Sequence, residues 1–574
     1  MTEKTPKGTN VNVKNAFNLM KSGRMDRREF IRTVALLGVS AGAAYSMAGL
    51  KPARADMMNM PFAADDPAAK KGGVIRIAMQ VQKMEDPATY SWIQMSNQTR
   101  HTLEYLTMTG VDNVTRPMLA ESWSASDDLK TWTFKLRQGI IFHNGDELTA
   151  DVIKWNVERW CDPKIASSIV GLPTFGQMVD DVDSGEKDDK GNAKMHKVLR
   201  KGAFEVVDKY TFKLNLAGPN LSVPEDCYHY PAAILHTSFV PPLANSMIGT
   251  GPYMMTELKV GEKCVLKRIS KTTDGKDFKW WGGDVYLDEI HYFNYEAENQ
   301  LTALASGDVD AIYEFDNSQL EFAKGVALGE IATARTAQTN VARMQVDKAP
   351  FDNKKLRQAI AKAIDNSAVK TLAFPVGGDV AENHHVAPIH PEYFKLPALT
   401  RDVAAAKALL KEAGHENGIE LTIDVGNTEG PWQQAMCEAM RDQLAEAGIK
   451  LNVNVMPASK YWEIWDKTVF GATSWTHRPL GTMVLSLAYK SGVPWNESHY
   501  ANPAFDAALA EAGGILDVEK RRAKMEKVQK ILQDDVPFIQ ALWRPIFGMN
   551  LKKVHGWPAH PTQYHQLYKT WIEA

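Results

Sequence analysis

The side chains best suited to bind a charged ligand lie in one short segment, Ser474-Trp475-Thr476-His477-Arg478-Pro479. No acidic residue occurs from Trp475 to Leu487. A fixed guanidinium binds a carboxylate or a phosphate through two parallel hydrogen bonds. Arg478 is therefore suited to bind an anionic group, provided that this segment faces a ligand. The alternative is that Arg478 forms a structural ion pair with an acid elsewhere in the chain.

Three histidines, His384, His385 and His390, suggest a metal site at first sight. Adjacent histidines in an extended loop point apart, and this spacing matches no known ligand set. We expect no direct metal coordination by the protein and no cofactor. A metal complex as the ligand stays open as an alternative.

The four cysteines are Cys161, Cys227, Cys264 and Cys437. None of them has the C-x-x-C spacing of a zinc site. In an oxidising compartment Cys227 and Cys264 are the pair to test for a disulfide. Buried free thiols are the alternative.

Motifs of hydrolytic enzymes receive no support. The chain has no H-E-x-x-H motif, and Gly38-Val39-Ser40-Ala41-Gly42 matches G-x-S-x-G only inside an apolar N-terminal run with no strand before it. Gly249-Thr250-Gly251-Pro252-Tyr253 lacks the third glycine and the helix of a nucleotide site, so it predicts a tight turn. The sequence thus favours a non-enzymatic protein.

The elements that must position these residues alternate between strand and helix. Trp132, Phe134 and Leu136 have the two-residue period of a half-buried strand, and a helix follows Thr149. Later, a strand over 419–425, a helix over 433–447 and a strand over 449–455 predict a right-handed βαβ unit. The fold class is therefore α/β.

The order of residues around this first strand is specific. It comprises Pro117-x-Leu119-Ala120-Glu121-Ser122-Trp123, Phe134-x-Leu136-Arg137-x-Gly139, Phe142-His143-x-Gly145 and Leu148-Thr149-Ala150-Asp151-Val152. The pattern resembles that of the family 5 extracellular solute-binding proteins. These are large periplasmic receptors of ATP-binding-cassette importers for peptides, nickel complexes, opines and glutathione. The resemblance extends from about Gly73 to the C-terminus.

The resemblance implies a two-lobed periplasmic binding protein fold of the large class with an extra subdomain, a ligand cleft between the lobes, and hinge strands near 340–346 and 538–543. The implied domains are lobe I from 71–106, 223–335 and 541–574, the extra subdomain 107–222, and lobe II 336–540.

The resemblance also implies the site residues. Trp475, Thr476, His477 and Arg478 would face the cleft, together with Glu429 and Trp432 from a strand-to-helix loop and Asn97 from the first lobe. Oligopeptide and dipeptide receptors use an aspartate where Arg478 stands, so ordinary dipeptides fit poorly. We expect Trp462 and Trp465 to belong to the core.

Length and charge agree with a multidomain soluble protein. The chain has 574 residues and a formal net charge of -3. Residues 1–55 contain ten Lys/Arg and three Asp/Glu, so the rest carries -10, which argues against nucleic acid as a partner. The expected partners are a small solute or peptide and an inner-membrane permease with its ATPase, and the receptor is expected to be a monomer. Sensing or chaperone-like binding is the alternative function, and a periplasmic hydrolase is less favoured.

The N-terminus has the three parts of an export signal. Arg27-Arg28-Glu29-Phe30-Ile31 precedes a run without charge from Thr33 to Leu50, and Ala53-Arg54-Ala55 offers a cleavage site. The arginine pair resembles a twin-arginine signal, and a membrane anchor is the alternative. Residues 1–55 are thus predicted to be removed on export to the periplasm, 56–70 to form a linker, and the charged insertion 180–190 to be a mobile surface loop.

Replacement of both Arg27 and Arg28 by lysine should block export of a folded reporter, because a twin-arginine signal is read through that pair. The measurement is the periplasmic fraction of the reporter. Unchanged export of the lysine variant would show that the general secretory route is used instead.

Overall fold

The computed structural model describes residues 11–25, 27–39, 41–49, 62, 65–111, 113–187 and 193–573. Its strands, in chain order, are β1 Val74–Ala78, β2 Thr107–Thr109, β3 Thr115–Pro117, β4 Ala120–Ala125, β5 Thr131–Leu136, β6 Val179–Lys187, β7 Ala193–Leu199, β8 Phe204–Asp208, β9 Thr211–Asn215, β10 Tyr253–Lys259, β11 Lys263–Arg268, β12 Glu289–Phe293, β13 Ala311–Ile312, β14 Gly329–Met344, β15 Asp379–Val380, β16 Ile419–Val425, β17 Ile449–Val455, β18 Phe470–Trp475, β19 Phe538–Ile539, β20 Leu542–Leu551, β21 Val554–His555 and β22 Trp571–Ile572.

The helices are α1 Val11–Lys21, α2 Arg27–Leu36, α3 Ala41–Met47, α4 Ile93–Thr99, α5 Ala150–Trp160, α6 Pro173–Gly176, α7 Val223–Asp226, α8 Ala297–Ser306, α9 Leu320–Lys324, α10 Lys354–Ala363, α11 Asn366–Ala373, α12 Val403–Glu412, α13 Trp432–Glu446, α14 Ala458–Ile464, α15 Gly481–Ala488, α16 Pro503–Gly513 and α17 Val518–Asp535.

One mixed sheet runs through the whole molecule. Its main strands follow the order β10-β11-β12-β1-β13-β20-β14-β18-β16-β17. We call the half from β10 to β13 the first lobe and the half from β18 to β17 the second lobe. Strands β14 and β20 lie between these halves, and the two-lobed α/β fold is as predicted.

Strand β14 belongs to both lobes. Over 329–338 it pairs antiparallel with β20, and over 339–344 it pairs antiparallel with β18. The change of partner comes directly after Gln338, with a register irregularity between Ala334 and Gln338. The switch therefore lies just before the predicted crossing at 340–346.

The second lobe contains the predicted βαβ unit. Strands β16 and β17 have the predicted bounds and pair parallel along their full length, with α13 between them in the chain. The apolar faces of Leu421, Ile423, Met436 and Leu444 are buried in one core. The apolar pattern of the sequence thus predicted both strands and the helix between them.

A four-stranded sheet of order β4-β5-β9-β8 forms a separate layer within residues 120–215, with α5 beside it. The side chains of Ile153, Val157 and Trp160 on α5 are buried, as their spacing predicted. The charged insertion is a correction: residues 179–187 and 193–199 form an antiparallel ribbon rather than an irregular loop. Alternating charges such as Lys197 with Asp181 pair across its strands.

Of the two alternatives for the cysteines, the structure shows buried free thiols. All four cysteines are buried and free, so Cys227 and Cys264 are not joined. Burial raises the pKa of Cys161 to about 12, which keeps this thiol protonated and unreactive at neutral pH.

The N-terminal helices α1 and α2 pack against the body of the protein. Phe30 and Val34 of α2 are fully buried, and the Trp123 indole donates to the Leu36 carbonyl at 2.7 Å. No helix in the described part of the chain is long and apolar enough to cross a bilayer. The predicted cleavage site Ala53-Arg54-Ala55 lies outside the described residues.

The Gly249-Thr250-Gly251 turn approaches the backbone that follows α4. Cβ atoms at Gly249 and Gly251 would lie 1.9 Å from the Thr102 carbonyl oxygen and 2.2 Å from the His101 carbonyl oxygen. Real Cβ atoms do not come this close to backbone, so these two positions require glycine.

Gly251→Ala should lower the free energy of unfolding by about 1–3 kcal/mol, since the added methyl must displace backbone. Denaturant unfolding followed by circular dichroism measures the change. Gly513→Ala is the matched control, because a Cβ there meets no atom within 4 Å and alanine is favoured in a helix. Equal stability of the two variants would contradict the steric account.

Candidate functional site

A cavity lies where the C-terminal end of β18 meets the first lobe. The space between its walls, including the part that is open to solvent, is about 400 Å³. The first lobe contributes Ser91, Trp92, Ile93 and Tyr230, and the second lobe contributes Glu429, Trp462, Trp465, Thr473, Ser474, Trp475, Thr476, Arg478 and Trp495. The lining of the cavity therefore comes from both lobes.

The walls are mostly aromatic and come from both lobes. Tyr230 stacks on Trp495 with ring centroids 5.9 Å apart, and Trp495 meets Trp475 edge to face at 6.0 Å. On another side Trp92 of the first lobe packs at 5.6 Å against Trp462 of the second. Such rings give a ligand rigid apolar contact area together with a few polar edges.

Arg478 is the cationic group of the cavity. Its guanidinium is almost fully buried and lies 5.4 Å from the centre of the Tyr230 ring. Its Nη1 donates to the carbonyl and hydroxyl oxygens of Thr476 at 3.2 and 2.5 Å and to the His477 carbonyl at 3.1 Å. Its buried Nε has no hydrogen-bond partner. These contacts hold the group in place through neutral acceptors.

No carboxylate of the described residues lies within ion-pairing distance of Arg478. Two buried acids of the second lobe are already engaged: Glu429 with Arg544 at 3.2 Å, and Glu497 with Arg343 at 2.9 Å. A buried cation that lacks a counter-charge raises the free energy of the folded protein until an anion reaches it.

Glu429 is the acid of the cavity, and it is well supplied with donors. Its Oε2 accepts from the Gln338 amide, the Ser474 hydroxyl and Arg544. Arg544 also donates to Glu314 at 2.7 Å. Burial raises the pKa of Glu314, Arg544 partly opposes that rise, and the Glu429 charge adds to it. Glu429 therefore has its cation, whereas Arg478 has no anion.

Glu497 fixes the orientation of Trp475. Its Oε1 accepts from the Trp475 indole at 2.7 Å, and its Oε2 accepts from Thr473 and Arg343. Burial raises the pKa of Glu497, and Arg343 partly offsets that rise. The indole is thus held against the cavity by a buried ion pair that begins on β14.

Four of the seven predicted site residues, Glu429, Trp475, Thr476 and Arg478, line the cavity. The other three lie outside the lining. His477 accepts from the Ala337 amide of β14 at 3.0 Å, and the Trp432 indole donates to the Glu429 carbonyl at 3.0 Å. Asn97 donates to the Gln563 carbonyl at 2.9 Å and accepts from the His565 amide. All three bond backbone groups, and of these only the Glu429 carbonyl belongs to a residue that lines the cavity.

Both Trp462 and Trp465 line the cavity, and Trp465 also packs against the core, so the expected core position holds only in part. The sequence did not predict that Tyr230, Trp92 and Trp495 line the cavity. They lie in irregular segments without periodicity, and the only available signal was the high total of 15 Trp.

The described residues contain no group of three or more His, Cys, Asp and Glu side chains placed to hold a metal ion. His385 bonds the Tyr489 hydroxyl at 2.7 Å, and His390 bonds the Arg478 carbonyl through Nε2 at 3.0 Å. His390 therefore supports the backbone of the Arg478 loop.

Solved structures share this fold. The periplasmic binding protein DppA from Helicobacter pylori, in complex with the peptide STSA, superimposes with a TM-score of 0.75 at 21% identity, over 88% of this chain and 99% of that one. AgaA from A. tumefaciens R10, in complex with agropinic acid, gives a TM-score of 0.72 at 21% identity over 88% and 99%.

Sequence relatives cover most of the chain. The glutathione-binding protein GsiB of Pectobacterium atrosepticum is 26% identical over 77% of this chain and 83% of its own length. A dipeptide-binding protein of Pseudomonas aeruginosa is 26% identical over 79% and 85%. The model of the bacterial extracellular solute-binding proteins, family 5, matches residues 114–492, which is more than half of the chain. The chain therefore belongs to the family 5 bacterial extracellular solute-binding proteins, which are receptors that deliver solutes to ATP-binding-cassette importers.

Proposed function

We propose that this receptor captures a small, peptide-like or other organic solute that bears a carboxylate or a phosphate, and that Arg478 binds that anion. The observation that carries the proposal is a buried guanidinium in the cavity, held by neutral acceptors, with no carboxylate of the described residues beside it. An anionic group of the solute would supply the missing counter-charge through charge-assisted hydrogen bonds.

The polarity of the site supports a solute other than an ordinary dipeptide. Glu429 is the only carboxylate among the lining residues, and three donors already engage it. An α-amino group would compete with Arg544 for Glu429, whereas a carboxylate at Arg478 displaces no charged partner. The aromatic walls suit the apolar remainder of the solute.

The shared strands support a closing motion as the binding mechanism. The cavity has walls from both lobes, and β14 and β20 connect the lobes at one edge of it. A ligand that contacts both walls favours the closed form over the open form.

The proposed organisation of the chain follows the same lines. It comprises an export signal of the twin-arginine type over 1–55, a linker over 56–70, lobe I over 71–106, 223–335 and 541–574, the extra subdomain over 107–222, and lobe II over 336–540. We propose that the processed protein acts as a monomer in the periplasm and passes its solute to a specific permease with its ATPase. The strand order of the large sheet supports these lobe limits.

Arg478→Ala should raise the dissociation constant about 30-fold or more, because the solute's anion would be buried without its partner. Calorimetric titration with the solute that mass spectrometry identifies in the purified protein measures the effect. Arg478→Asp should weaken binding further, since it places two negative charges together.

Arg441→Ala is the matched control, since Arg441 is exposed on α13 and pairs only with Asp442 at the surface. Circular dichroism must show that each variant is folded. Binding of the solute to folded Arg478→Ala with the parent's affinity would make Arg478 a structural residue and end the anion proposal. Recovery of a chemically altered solute would instead indicate an enzyme.

A further inference from the structure

Helix α2 lies across the junction of the two lobes, beside the loop that carries Arg478. Its apolar face buries Phe30, Ile31 and Val34, and its last carbonyl, that of Leu36, accepts from the Trp123 indole of β4. This apolar contact alone would not make the body specific for α2, because any amphipathic helix has an apolar face.

Two buried ion pairs make the contact specific. Arg32 lies 2.8 Å from Glu225 of α7, and both side chains are nearly fully buried. The same guanidinium nitrogen donates to the Pro479 carbonyl of the second lobe at 3.0 Å. Glu29 lies 2.8 Å from Arg521 of α17, again with both side chains buried. Residues three apart on a helix share a face, so one face of α2 presents an acid and a base to matching charges.

The partners of α2 come from different parts of the molecule. Glu225 precedes Tyr230, which lines the cavity from the first lobe, whereas Pro479 and Arg521 belong to the second lobe. A segment bonded to both sides resists their separation. Pro479 also follows Arg478 directly, so the Arg32 bond acts on the loop that would bind the solute.

We propose that the body of the protein contains a built groove for residues 27–36 of its own N-terminus, and that α2 in this groove fastens the two lobes in the closed form. In the docked state Glu225 pairs with Arg32, and Arg521 pairs with Glu29. Removal of the segment frees the lobes to open and admit solute. The docking does not depend on the proposed function; only the effect on solute entry rests on it.

The docking is tested on the full chain with a site for a specific protease placed within residues 57–61. The chain is purified, cut after it has folded, and the dissociation of the N-terminal fragment is followed by size exclusion and by fluorescence anisotropy of a label on Lys4. We expect the fragment to stay bound after the cut.

The ion pairs are tested in the same cut chain. Glu225→Gln or Arg521→Ala should weaken retention about 30-fold or more, because each removes the closest ion-pair partner of a buried charge of α2. Glu29→Arg combined with Arg521→Glu should restore part of the loss. Arg27→Ala is the matched control on an exposed position of the same helix and should change retention less than threefold. Immediate loss of the parent fragment, or equal retention in all variants, would overturn the proposal.

Hydrogen exchange on the uncut parent chain gives a second measurement that needs no variant. Backbone amides of residues 31–36 should exchange as slowly as those of β14, since a docked helix opens only with the surrounding structure. Exchange of these amides within seconds would show an undocked helix and overturn the proposal. Small-angle scattering before and after removal of the fragment then tests the fastening: an unchanged radius of gyration would refute the closed-form restraint while leaving the docking intact.

Discussion

The architecture depends on two strands that belong to both lobes. Strand β14 pairs with β20 up to Gln338 and with β18 from the next residue onward. One continuous strand therefore contributes to the sheet of both lobes. This constraint places the end of β18 and its Arg478 loop opposite the first lobe's Tyr230. We propose that the lobes move relative to each other at this change of partner, as in hinge closure around a ligand.

The buried charged side chains around the cavity fall into two groups, those that form ion pairs and Arg478, which forms none with the described residues. Arg343 with Glu497 and Arg544 with Glu429 and Glu314 are buried pairs that start from the shared strands. Their acids accept hydrogen bonds from Trp475 and Ser474 and so hold these side chains in position. Because the acids already pair with Arg343 and Arg544, they are not available as partners for another cation. Among the described residues Arg478 is left with neutral acceptors, which is the basis of our proposal that the solute is anionic. The same logic applies at α2, where the body's Glu225 and Arg521 match the charges of Arg32 and Glu29.

The sequence was sufficient for elements whose apolar residues repeat regularly. Strands β16 and β17 and the buried face of α5 were predicted correctly for that reason. The Arg478 segment was identified through the family resemblance, because the arginine stands about where peptide receptors have an aspartate. Long-range pairing was not predictable: neither Tyr230 on Trp495 nor Trp92 on Trp462 leaves a periodic signal. Trp462 and Trp465 have helical spacing typical of a core, and only the tertiary structure turns them to the cavity. The packing of α2 against the body was not predicted either, because an export signal is normally removed and is therefore not expected to form part of the fold.

The central claim is that both lobes close over an anionic solute. The most direct measurement is small-angle scattering on protein stripped of solute by unfolding and refolding, before and after addition of the solute recovered from the purified protein. The account predicts that the radius of gyration falls when the solute is added and that the solute carries a carboxylate or a phosphate. Superimposable scattering curves at saturating solute would contradict it.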